Sequence, residues 1–189
     1  MLIGTTFAWF TDSVSSEGNK IMSGTLKVDL ELLEDTGWTS IKTDPKPLFK
    51  NDKWEPGYTE VKVLKVENEG TLALKWKAKI VAEKELSALA DVIDVYVLPS
   101  ETELTYPANR DLDGYTKVGT VRDFVNTIED TTRGELAAQE VAYLGLALKM
   151  QNVGNEYQGL DLCGEFDIQI VATQLTAEDD SFDDGYDED

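Results

Sequence analysis

Residues 24–33, GTLKVDLELL, set Leu26, Val28, Leu30 and Leu32 against Lys27, Asp29 and Glu31. A period of two predicts a strand with one buried face. The same period runs through TEVKVLKVENEG, from Thr59 to a turn at 68–70, and through TLALKWKAKI, where Leu72, Leu74, Trp76, Ala78 and Ile80 alternate with Lys75, Lys77 and Lys79. The three lysines are expected to form a solvated face, with pairing to carboxylates of a neighbouring strand or subunit as the alternative. Between the first two strands a loop with Gly37, Pro45 and Pro47 ends at WEPGY, where Pro56 and Gly57 suit the central positions of a type II turn. EKELSALADV places Leu86, Leu89, Ala90 and Ile93 at helical spacing, which predicts a short helix before a strand at VIDVYVL. Thr120 followed by Asp123 has the form of a capping box, and Val121, Phe124, Val125 and Ile128 recur at i, i+3, i+4 and i+7. The chain then returns to strands at AAQEVAYLGLALKM and CGEFDIQIVATQ, the second with Phe166, Ile168, Ile170 and Ala172 on one face.

Strands dominate, and the two helical pieces lie together in the middle. This order favours an antiparallel sandwich over an alternating βαβ sheet. The expected fold is all-β, an antiparallel β-sandwich of jelly-roll type whose short helices sit in inserted loops and cover sheet edges. A length of 189 residues suits one domain, expected over 24–175. The last residues, EDDSFDDGYDED, are almost all acid, so 176–189 is expected to be a disordered tail.

Charge narrows the partners. Against 17 Lys and Arg stand 37 Asp and Glu, a net charge of -20. Binding a phosphate backbone needs clustered cations, so neither nucleic acid nor an anionic membrane surface is an expected partner. Histidine is absent, which removes the commonest general base and zinc ligand together. The sequence has no HExxH, no GxSxG and no glycine-rich phosphate loop. A paired-carboxylate hydrolase is not excluded by composition, but such a pair is recognised by its separation in space. Cys163 is the only cysteine; it lies in an apolar stretch and is expected to be a buried small hydrophobe. No apolar run reaches the roughly 18 residues of a membrane-spanning helix.

One stretch has metal character. NRDLDGY supplies Asn109, Asp111 and Asp113 at alternate positions and then Gly114, the first half of a calcium loop. The position where a full loop needs a bidentate glutamate is Thr120. A solvated acidic turn and a calcium site are both open at this stage.

The opening segment, MLIGTTFAWFTDS, crowds Leu2, Ile3, Phe7, Trp9 and Phe10 into ten residues of an acidic protein. It reads as a targeting remnant, as a core strand, or as a segment made to be buried in another molecule. Several stretches together resemble the TasA/camelysin family of secreted bacterial surface and biofilm-matrix proteins. They are TTFAWFTD followed by SGTLKVDLEL, then WEPGYTEVKVLKVENEGTLALKWKAKI, and MQNVGNEYQGLDLCGEFDIQIVATQ. The family's Gly-Thr-Leu strand, Pro-Gly turn, Asn/Glu-Gly turn with its following strand, Tyr-Gln-Gly segment and Ala-Thr-Gln ending fall at 24–26, 56–57, 68–74, 157–159 and 172–174. The blocks cover a little under half of the chain, and residues 84–135 carry no resemblance.

The resemblance implies a jelly-roll sandwich, export, and processing by a dedicated signal peptidase of the SipW type. It implies fibres in which the freed N-terminal segment of one subunit completes the sheet of the next, with accessory matrix proteins as further partners. Camelysin-like members have been classed as surface metalloproteases, which is the competing enzyme reading; a monomeric surface binding module is the third. Thr6 and Ala8 provide the small residues that signal peptidases require, so cleavage is expected after Ala8, leaving Trp9 as the new terminus. On this reading residues 1–8 are the end of a signal peptide whose charged beginning lies outside the chain. Residues 9–23 form the donor segment, with Trp9, Phe10, Thr11 and Asp12 at the subunit interface. Trp9 and Phe10 in water forgo about 1.5–3 kcal/mol each, so they should enter their own core or a partner's groove. No membrane contact is expected after cleavage.

Overall fold

Where apolar and polar residues alternate, the chain is extended. A computed structural model describes residues 25–43, 47–49, 53–82, 84–107, 110–126, 133–163 and 166–174. Its strands are β1 (Val28–Glu34), β2 (Gly37–Ser40), β3 (Thr59–Asn68), β4 (Leu74–Ala82), β5 (Ile93–Ser100), β6 (Thr116–Thr120), β7 (Arg133–Leu136), β8 (Val141–Met150) and β9 (Phe166–Gln174). The α-helix α1 (Val121–Asn126) follows β6 directly, and 3-10 turns occupy Ala88–Asp91 and Asn155–Tyr157. The strands pair antiparallel into a six-stranded sheet, β2-β1-β3-β8-β5-β6, and a three-stranded sheet, β7-β4-β9. The chain is therefore an all-β sandwich of two antiparallel sheets.

An apolar cluster joins them. Leu32, Leu64, Val66, Val95, Val97, Leu144, Leu146 and Leu148 come from the six-stranded sheet, and Leu74, Trp76, Ala78, Ile80 and Leu136 from the three-stranded one. Each large side chain removed from water contributes about 1.5–3 kcal/mol. The six-stranded sheet is covered on its other face too. Val61 and Val63 alternate with the residues of that cluster and so point away from it, yet they are 6% and 1% exposed. The segment between β5 and β6 crosses this outer face. Glu103 Oε1 accepts from Trp38 Nε1 at 2.9 Å, and the Arg110 guanidinium lies 4.7 Å from the Tyr58 ring centre. The Tyr115 hydroxyl rests on Gly145, where a Cβ would fall 2.3 Å from it; Gly145 pairs with Val63. Burial pushes the Tyr115 hydroxyl above its ordinary pKa of 10.0.

The turns follow their residues. Gly57 has φ +83 and Tyr58 N donates to Glu55 O at 2.9 Å, the closed turn expected of Pro56-Gly57. Asn68 is fully buried at the end of β3. Its Nδ2 donates to Leu72 O (2.8 Å), Ala137 O (2.9 Å) and Leu136 O (3.3 Å), while its Oδ1 accepts from Gly70 N (2.9 Å). One side chain thus ties the turn after β3 to the end of β7 in the opposite sheet. Gly70 is required beside it, because a Cβ there would meet Thr25 O at 2.3 Å.

The capping box forms as read. Asp123 Oδ2 accepts from Thr120 N and from Thr120 Oγ1, both at 2.9 Å, and Thr120 Oγ1 accepts from Asp123 N at 3.4 Å. These bonds hold the Asp123 carboxyl below its ordinary pKa of 3.8, chiefly through the Thr120 main-chain donor. Asp123→Ala, which removes the reciprocal half of the capping box, is expected to cost about 0.3–1.5 kcal/mol. A depressed carboxyl stabilises the fold above its unfolded pKa and loses that contribution as pH falls through the folded value. The melting difference between wild type and Asp123→Ala should therefore exist at neutral pH and vanish below the carboxylate range.

Three expectations need correction. The helix expected over EKELSALADV is only the 3-10 turn Ala88–Asp91, started by Ser87 Oγ accepting from Leu89 N at 3.1 Å; β5 begins at Ile93 and takes the rest of the apolar pattern. The helices do not merely cover edges. α1 packs against β4 of one sheet and β5 and β6 of the other, with Val121 and Phe124 buried in the core; Ile128 lies outside the described residues. The strand read over AAQEVAYLGLALKM starts only at Val141, after a turn in which Gln139 has φ +64. Cys163 is buried at 5% exposure, as expected of a small hydrophobe.

Candidate functional site

Among the described residues the sandwich is unequal, six strands against three, and the inequality concentrates at β9. Nine residues of β9 pair with β4, from Leu74↔Gln174 to Ala82↔Phe166. Among the described residues no strand pairs with its other edge. Phe166, Ile168, Ile170 and Ala172 face the core cluster as their alternation predicts, but they are only partly buried against it. At the Phe166 end the two sheets part around a cavity of about 740 Å³, with Phe49, Trp54, Leu89, Met150, Tyr157 and Phe166 among its walls. Phe49 stacks on Phe166 with ring centres 6.4 Å apart. An apolar, half-covered edge strand beside an aromatic hollow is the geometry that accepts an added strand with large side chains.

A second cavity, about 480 Å³, occupies a notch on the other sheet. β1 pairs with β3 only as far as Leu32↔Leu64, so among the described residues no strand lies beside residues 59–63 on the side away from β8. Glu34, Asp35, Glu60, Lys62, Tyr106 and Arg110 are among the lining residues. Glu60 is 9% exposed; its Oε1 pairs with Lys62 Nζ at 2.8 Å, and its shielded Oε2 has no hydrogen-bond partner among the described residues. Sequence reading singled out none of these residues. The available signal was Glu60 and Lys62 alternating with valines.

The predicted site residues fall unevenly. Thr6, Ala8, Trp9, Phe10, Thr11, Asp12 and Asn109 lie outside the described residues. Asp111 and Asp113 sit in one turn, where Asp111 Oδ1 accepts from Asp113 N at 3.2 Å and Gly114 has φ +80. Among the described residues no three acidic, cysteine or histidine side chains gather as a metal site would require. The lysine face of β4 is corrected: Lys75 and Lys79 are half-buried, but Lys77 is only 2% exposed.

No family model matches the chain, and no curated protein matches it. Among the described residues no helix is long and apolar enough to cross a membrane.

Proposed function

We propose that this chain is a secreted, non-catalytic structural subunit of extracellular matrix or surface fibres of the TasA/camelysin kind. After cleavage at Ala8, the segment from Trp9 adds a strand to the next subunit, and repetition of that contact makes a head-to-tail filament. The observation that carries the reading is β9, nine residues whose edge away from β4 is unpaired among the described residues, with half-covered Phe166, Ile168, Ile170 and Ala172. Main-chain hydrogen bonds along such an edge give general affinity, and Trp9 and Phe10 supply the apolar anchors that set register. The contact joins two different surfaces, so it need not close into a ring.

A free peptide of residues 9–23, added in excess to protein that begins at Trp9, is expected to occupy the acceptor edges and stop growth. Light scattering during assembly should fall with peptide concentration and stay unchanged with a scrambled peptide. Equal scattering with both peptides would count against strand donation.

A further inference from the structure

We propose that the notch between β1, β3 and the β5–β6 segment binds a neutral saccharide unit. This inference is independent of whether the protein forms fibres. The cavity of about 480 Å³ lies within the roughly 300–1,000 Å³ range of small-molecule sites. Charged side chains from β1, β3 and the β5–β6 segment meet in its walls. Glu60 is held in place by Lys62, and its second carboxylate oxygen is shielded from water with no hydrogen-bond donor among the described residues. Leaving a buried acceptor without a donor is costly, and a ligand hydroxyl donating to Oε2 would remove that cost.

The neighbours fit the rest of a sugar ring. Lys62 and Arg110 are donors for ring and hydroxyl oxygens, while Glu34, Asp35 and Glu60 accept. Among the described lining residues three carboxylates stand against two cations, close to neutral, which selects neither an anion nor a polycation. The guanidinium of Arg110 already covers the Tyr58 ring, but Tyr106 is 49% exposed at the rim and offers an aromatic surface for the C–H face of a pyranose. A ligand with adjacent hydroxyls and one apolar face uses every one of these groups.

The test is calorimetric titration of the whole chain with cellohexaose, laminarihexaose and N-acetylchitohexaose, and separately with spermidine. At least one hexasaccharide is expected to bind with a Kd of about 1 mM or tighter. Tyr106→Ala, at an exposed position, should weaken it about tenfold, and Glu60→Gln should weaken it as well. Circular dichroism shows whether each variant is folded; if Glu60→Gln is not, Tyr106→Ala decides. Absence of binding by all three sugars at about 10 mM, binding indifferent to Tyr106→Ala, or spermidine binding tighter than any sugar would each overturn the proposal.

Discussion

Protein that begins at Trp9 is expected to form filaments in negative-stain electron micrographs, and the same protein without residues 9–20 is expected to form none. The effect is all or nothing because every subunit joint would use the same donated segment. Trp9 and Phe10 alone bring about 1.5–3 kcal/mol each when buried, and the ladder along β9 adds to this. Opposing them is the net charge of -20 on every subunit. Its reach shrinks from about 30 Å at 0.01 M salt to about 8 Å at 0.15 M, so filaments should appear sooner and grow longer at the higher salt. Filaments of both forms, or of neither at any salt, would sink the strand-donation reading.

Asn68→Ala is expected to lower stability by about 2–4 kcal/mol. The substitution removes the donor shared by the carbonyls of Leu72, Leu136 and Ala137 and the acceptor of Gly70 N. All of these are buried or partly so, and water cannot easily replace the side chain. The main chain adds to the clasp: Asn68 N donates to Glu140 O at 2.9 Å and Gln139 N to Asn68 O at 3.0 Å. Asn68→Asp should be worse, because a carboxylate turns only acceptors toward three carbonyl oxygens. Urea denaturation would measure both, and a loss below about 1 kcal/mol for Asn68→Ala would mean that the clasp is not what holds the two sheets together at this end.

Long strands were legible because each buries one face on its own local pattern. β1, β4 and β9 emerge from their alternation within a few residues of their ends, and the turn at Gly57 and the cap at Thr120 follow from chemistry confined to four residues. The short strands were not. GWTS, TKVGT and RGEL hold too few residues to show a period, and they are extended because a longer neighbour, β1, β5 or β4, presents an edge to them. β3 hid a different fact. Its Leu64 and Val66 face the sandwich core while Val61 and Val63 face the other way, beneath a segment some fifty residues further on.

The candidate sites divide along the same line. Local sequence accounts for the aromatic start at Trp9 and Phe10, the Asx turn of Asp111 and the apolar face of β9, since each depends on neighbours within a few positions. Lys77 looked like one more member of a solvated row, and only packing leaves it 2% exposed. Glu60 likewise looked like an ordinary polar position of a strand. That its second oxygen lacks a donor among the described residues depends on where β1 leaves β3 and where Tyr106 and Arg110 come to rest. Alternation along a strand is a one-dimensional signal and specifies which face a residue takes; what covers that face is set by segments distant in the chain, and so exists only in the folded molecule.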